Sequence, residues 1–343
     1  MEKNRINYFD IAKGIGMLCV ILGHLSVSGI NMILFTFHMP LFFIISGYFL
    51  KKHDTKVLIH KKARQLLVPY LLTCMAIMIL SALKDLLLGR TEEMFHNLLL
   101  WAYAGFYGSG NPYSQPFYVK PIGAIWFLLA MFWSVIIYNS IMNRKYCSVW
   151  VLVLALVGYL SVRYIYLPWS IQSALLALVF VHAGHWFRIK NLSLAPHNIS
   201  GTAAVFFLWL LCMYVDKGRF YIVGNYSQNL VIDIIGGISG TSLVLFLSQC
   251  MERIPLISSG LRWFGRNSLA VLCLHLIELT CIPWKNLLEH AGITNIYLMG
   301  GLMVIGKLVW CIAGTLIIAK IPMLSSAFGI SQNTDRSKGG VAV

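Results

Sequence analysis

Residues 8–24 read YFDIAKGIGMLCVILGH, and residues 37–48 read FHMPLFFIISGY. No Asp, Glu, Lys or Arg interrupts residues 15–30, yet His24 lies inside that run and His38 inside the next one. An ionisable ring at membrane depth is costly and marks function more often than packing. A neutral imidazole takes up a proton near pH 7, so two of them in adjacent apolar stretches point to acid–base work.

The composition supports the membrane setting. Hydrophobic residues make up 58% of the 343 and charged residues 11%, with a mean hydropathy of +0.74. Soluble domains carry about 25% charged residues, which excludes a water-soluble chain. Lys3 and Arg5 precede the first stretch and no A-x-A-like site follows, so that stretch is expected to be a retained helix. The net charge of +15 does not imply nucleic acid here, because basic residues gather in connections that hold topology. An anionic ligand on the basic side is the alternative use of the same charges. The eight cysteines show no C-x-x-C and are expected to be free packing residues.

Apolar runs of spanning length, about 17 to 25 residues, fall at 11–30, 33–50, 65–88, 122–141, 148–166, 169–187, 199–215, 230–250, 268–286 and 296–320. The expected fold is an all-α polytopic bundle of about ten transmembrane helices. With the N-terminus inside, Lys and Arg fall 18 times in inner connections and 7 times in outer ones, which predicts cytoplasmic N- and C-termini. Residues 1–328 form one membrane-embedded domain in this reading, and the polar tail 329–343 is expected to be disordered. The inner segment 51–64 (KKHDTKVLIHKKAR) is strongly basic. The outer segment 89–121 reads as a long connection rich in aromatics, able to cover a substrate entrance. No internal repeat is visible, which argues against an inverted-repeat transporter.

Lys13 and His24 are eleven residues apart, about three turns and roughly 16 Å along one helix face. Asp10, three residues before Lys13, lies within pairing reach of it. A snorkelling lysine beside a hydrogen-bonded histidine accounts for the same residues without chemistry. His24 is expected about six residues below the outer end of the first helix, and His38 at a similar depth in the next, so the two can share one pocket. Pro40 removes a backbone bond just after His38, and Ser46 and Gly47 allow close helix approach. His275 and Glu278 share a helix face and are expected to point into the bundle, lining a polar gate or donor channel more readily than catalysing directly. His182 and His185 are also three apart, but no third ligand has suitable spacing, so no metal is expected. Trp126 near an outer helix end fits an interfacial aromatic, with sugar stacking as the sharper reading.

Several segments resemble the acyltransferase-3 family of integral-membrane O-acyltransferases, often described as fucose 4-O-acetylase-like. They are Tyr8 to Gly14 (YFDIAKG), Gly23-His24, Phe37 to Gly47 (FHMPLFFIISG), Arg64 to Tyr70 (RQLLVPY), Ile125 to Leu128 (IWFL), and Gly265 to Leu269 (GRNSL) with His275. Lys13 and His24 are similar to the family's basic-residue-to-histidine signature in a lysine form. The resemblance implies a ten-helix protein of the cell membrane with cytoplasmic acetyl-CoA as acyl donor and no permanently bound cofactor. It also implies an acceptor hydroxyl on a carbohydrate or lipid-linked glycan at the outer face. His24 is then general base or transient acyl carrier, with His38, Lys13 and Asp10 assisting. Arg64, whose guanidinium suits phosphate, joins Tyr70, Ser46, Trp126, Asn267, His275 and Glu278 in binding donor or acceptor. A small-molecule transporter on the same fold is the alternative function, and a sensor using the basic loop a more distant one. The sequence leaves the oligomeric state open.

Overall fold

A segment in lipid must satisfy its backbone polar groups internally, and each of the ten expected stretches holds helix in the computed structural model. The structure describes residues 6–25, 28–114, 116–196, 198–216 and 220–330. The helices in chain order begin with α1 (Asn7–Gly23), α2 (Ser28–Phe49), α3 (Thr55–Lys62), α4 (Val68–Leu87) and α5 (Thr91–Tyr107). There follow α6 (Trp126–Ile141), α7 (Cys147–Ser161), α8 (Ile171–Ile189), α9 (Ile199–Asp216) and α10 (Leu230–Met251). The last five are α11 (Pro255–Arg266), α12 (Ser268–Cys281), α13 (Trp284–His290), α14 (Ile296–Lys320) and α15 (Pro322–Ala327). Among the described residues there is no strand, only isolated bridges at Tyr113–Val119 and Tyr221–Tyr226.

Among the described residues, five segments are long and apolar enough to cross a membrane: Gly29–Phe49, Thr55–Leu87, Pro168–Ile189, Leu230–Met251 and Ile296–Lys320. α12 and α13 make a sixth if their 54° bend interrupts one span. Trp126–Ile141, Cys147–Ser161 and Ile199–Val215 are apolar but shorter.

Two expectations change. The first helix ends at Gly23 rather than near residue 30, and His24 is its C-cap; the His24 N–H donates to Ile21 O at 3.3 Å and the Leu25 N–H to Leu22 O at 3.0 Å. The segment 89–121 is not one long connection, because α5 occupies its first half. Glu92 and Glu93 in the first turn complement the helix dipole, and Gly108 (φ 69°) closes the end in the left-handed region that glycine tolerates. Of the expected tail, Gly329 and Ile330 are described, and the Ile330 N–H donates to Ser325 O at 2.9 Å. The rest of the tail, with Arg336 and Lys338, lies outside the described residues, as do Lys3, Arg5, Lys217 and Arg219.

Two close helix crossings organise the bundle. On α1, a Cβ at Gly14 would sit 2.1 Å from Leu261 O, and one at Gly265 of α11 would sit 1.8 Å from Asp10 O. On α2, a Cβ at Gly47 would lie 2.0 Å from Val181 O, and at Gly184 of α8 2.0 Å from Ile44 O. Glycine at these four positions lets backbones touch. α1 also packs on α2, α10 and α12, while α8 packs on α6 and α7. The basic segment is fixed to the bundle by Asn139, fully buried on α6. It accepts from His53 N–H at 3.0 Å, donates to His53 O at 3.1 Å, and its carbonyl accepts from Lys52 Nζ. Asp54 caps α3 through the N–H groups of Lys56 and Val57. α3 passes into α4 through a π-turn, Ala63–Leu67, that contains Arg64; such turns recur at functional sites.

Candidate active site

The inner faces of α1, α2, α6 and α12 enclose a cavity of about 390 Å³, within the usual range for small-molecule sites. Met17, Gln65, Leu66 and Ser268 line one end. His24, His38, Asn111, Trp126 and Tyr221 line the other, and Phe42, Phe127 and Leu272 form apolar walls between them. Ser268 and Leu279 both line it from α12 and are eleven residues apart, so the cavity follows that helix for about 16 Å.

His24 is exposed, and its exposure is to this cavity. The position at the end of α1 carries the ring past the last helical turn. His38 is buried on the cavity wall, and its Nδ1 lies 2.8 Å from Leu34 O. A carbonyl only accepts, so Nδ1 carries the proton and Nε2 keeps its lone pair. Phe35 packs against the His38 ring at 5.1 Å and against Gly23, where a Cβ would meet its ring at 2.9 Å. The two expected histidines therefore do share one pocket, held by Phe35. The nearest imidazole contact of His24 is a different one: the His275 ring, at 5.2 Å between centroids.

His275 belongs to a buried polar cluster that the sequence reading saw only in part. Its Nδ1 lies 2.7 Å from Glu278 Oε1, and Lys307 Nζ from α14 approaches Oε1 at 2.8 Å and Oε2 at 3.1 Å. Trp284 Nε1 donates to Glu278 Oε2. His275 and Glu278 are 0% exposed and Lys307 1%. A carboxylate buried this deeply needs such partners.

The other expected residues fall in several places. Asp10, buried, holds Lys13 Nζ at 2.8 Å and Arg266 Nε at 3.5 Å, so a basic pair gathers where α1 crosses α11. Arg64 is exposed beside the cavity-lining Gln65 and Leu66. Trp126 lines the cavity at the start of α6, edge-on to Phe127. Tyr70 does not line it; its hydroxyl donates to Gly105 O at 2.7 Å and ties α4 to α5. Asn267 spends its side-chain N–H on Trp263 O at 2.9 Å. Ser46 lies next to the Gly47 crossing, away from the cavity lining. His182 uses Nδ1 with Tyr138 OH (2.9 Å) and Nε2 with Ser148 Oγ (3.0 Å). All eight cysteines are free.

Lys307 and Arg266 are the residues the sequence reading passed over. A signal existed for each: one lysine in the apolar 25-residue α14 needs a buried partner, and an arginine at the end of a strongly amphipathic helix faces one side only.

This geometry, two imidazoles at one end of an elongated cavity and a paired basic cluster near the other, can be compared with known proteins. The acyltransferase-3 family model, described as an acyltransferase domain, matches residues 6–320. The chain belongs to this family. It is also similar to Nodulation protein NolL of Mesorhizobium japonicum, with 30% identity over 166 residues. That match covers 43% of this chain and 39% of the relative, so the chain spans well under half the length of that protein in the aligned part. No solved structure matches the chain. Membership of this acyltransferase family agrees with the apolar helices.

Proposed function

We propose that the protein is a ten-span O-acyltransferase of the cell membrane, with both termini in the cytoplasm. It moves an acetyl group from cytoplasmic acetyl-CoA to a hydroxyl of a cell-surface or exported carbohydrate. The observation that carries this reading is the placement of His24 and His38 on one cavity whose far end lies among Gln65, Ser268 and the π-turn bearing Arg64.

In this reading the donor's phosphates meet Arg64, Lys13 and Arg266, while its thioester arm runs between the apolar walls toward His24. The acceptor approaches from the opposite end, where Asn111 can hydrogen-bond a sugar and Trp126 and Tyr221 offer flat faces. His24 takes the proton of the acceptor hydroxyl as the oxygen attacks the thioester carbonyl; His38 assists through Nε2. Bond formation between oxygen and acyl carbon expels the thiolate, which recovers the proton as free thiol. Holding both reactants along one axis supplies the proximity part of the rate, and the general base about a hundredfold or more.

The decisive experiment uses purified protein in nanodiscs, acetyl-CoA labelled in the acetyl group and a panel of glycans. Labelled acetyl leaves the donor for an acceptor with the native protein. His24→Ala abolishes transfer while membrane insertion and thermal stability stay native. Transfer at a near-native rate in that variant refutes the assignment.

A further inference from the structure

The cluster behind His24 extends that reading and rests on it. His275 lies on the same face of α12 as Leu272 and Leu279, three residues before and four after, and both leucines line the cavity. His275 itself does not line it; its ring lies against that of His24, which does. Its Nε2 is buried and has no hydrogen-bond partner, an arrangement rare enough in proteins to require an explanation.

The partners on the other side fix the ring's protonation. Lys307 Nζ and Trp284 Nε1 can only donate, and both donate to Glu278. A carboxyl that receives donors at both oxygens is ionised and accepts from His275 as well. The proton of neutral His275 therefore sits on Nδ1, and the unpartnered Nε2 carries a lone pair. That lone pair belongs to a ring in contact with His24. The ring centroids are 5.2 Å apart at a 50° tilt, a separation from which rotation of the His24 ring brings one of its nitrogens to hydrogen-bond distance, about 3 Å, from Nε2.

We propose that His24 and His275 act as a two-imidazole proton relay, in which Glu278, held ionised by Lys307 and Trp284, presets His275 to accept. When the acceptor hydroxyl gives its proton to one nitrogen of His24, the proton on the other nitrogen passes to His275 Nε2. The charge then lies between His24 and the Glu278 carboxylate, away from the apolar cavity. The O–H bond breaks as the O–C bond forms, and the thioester C–S bond breaks. The proton returns from His275 Nε2 through His24 to the departing sulfur, so the cluster ends each turnover as it began. His275 touches neither reactant. It is a positioning residue that acts through His24.

Two measurements on the full-length protein in nanodiscs test this. With histidine labelled in nitrogen-15, NMR of the native protein shows His275 as a single tautomer protonated on Nδ1, and Glu278→Gln populates the other tautomer. A native His275 protonated on Nε2 overturns the relay with no variant needed. In acetyl transfer, His275→Asn lowers kcat about a hundredfold with KM for donor and acceptor within about twofold. If His275→Asn keeps kcat while His24→Ala is inactive, the relay falls and the acyltransferase reading stands. If both variants keep kcat, both fall.

Discussion

His24 owes its reach to where α1 stops. As the C-cap it leaves the helical rail, so its ring enters the cavity while Gly23 accommodates Phe35 behind it. The sequence showed that a histidine at this depth is expensive, and it paired His24 with His38 by level. The third imidazole was legible as a costly residue but not as a neighbour, because contacts between α1 and α12 join residues some 250 positions apart. Glu278 and Lys307 illustrate the same limit. Each is an isolated ionisable group in an apolar run, and only packing of α12 on α14 brings them to 2.8 Å. Their coupling makes a prediction. Lys307→Met leaves Glu278 buried without its cation and lowers unfolding stability by about 3 kcal/mol, read as a fall in Tm. The double variant Lys307→Met with Glu278→Met recovers most of that loss. A single variant as stable as the native protein would contradict the buried ion pair.

At the level of helices, apolarity found every long segment but misjudged what lies between them. α5 was missed because Glu92, Glu93, His96 and Asn97 lower its hydropathy, although its capping signals were present. Residue 23 as the end of α1 was hidden because no Asp, Glu, Lys or Arg interrupts residues 15–30, although Gly23, Ser26, Ser28 and Gly29 are weaker stop signals in the same stretch. The close crossings were only half legible, since Gly47 stood out beside Ser46, while Gly14 and Gly265 declare their partners only in three dimensions. They also separate crowding from intrinsic helix preference on one helix. Gly265→Ala forces a Cβ onto Asp10 O and should lower stability by about 1 to 3 kcal/mol. Gly260→Ala, five residues earlier in α11 with nothing within 4 Å, should raise it by up to about 1 kcal/mol. Thermal unfolding in nanodiscs compares the two; equal shifts would rule out the tight α1–α11 crossing as the cause.

For the whole molecule, the positive-inside bias predicts orientation, and a free cysteine allows it to be measured. Cys250 is exposed near the end of α10, on the side where Asp10 meets Arg266. In a variant keeping it as the single cysteine, a membrane-impermeant thiol reagent should label it only after cells are opened. Labelling of intact cells would invert the topology. The overall class was legible from composition because so few charges leave lipid as the only adequate solvent. The cavity was not, because its walls come from segments spread from Met17 to Leu279 and depend on how the helices tilt. One last consequence belongs to the 54° turn between α12 and α13. The chain bends there, and the indole of Trp284 reaches the carboxylate of Glu278 six residues before it. The elbow is thus a clasp: straightening it withdraws one donor from Glu278, so the hydrogen bonding of that carboxylate and the shape of this stretch change together.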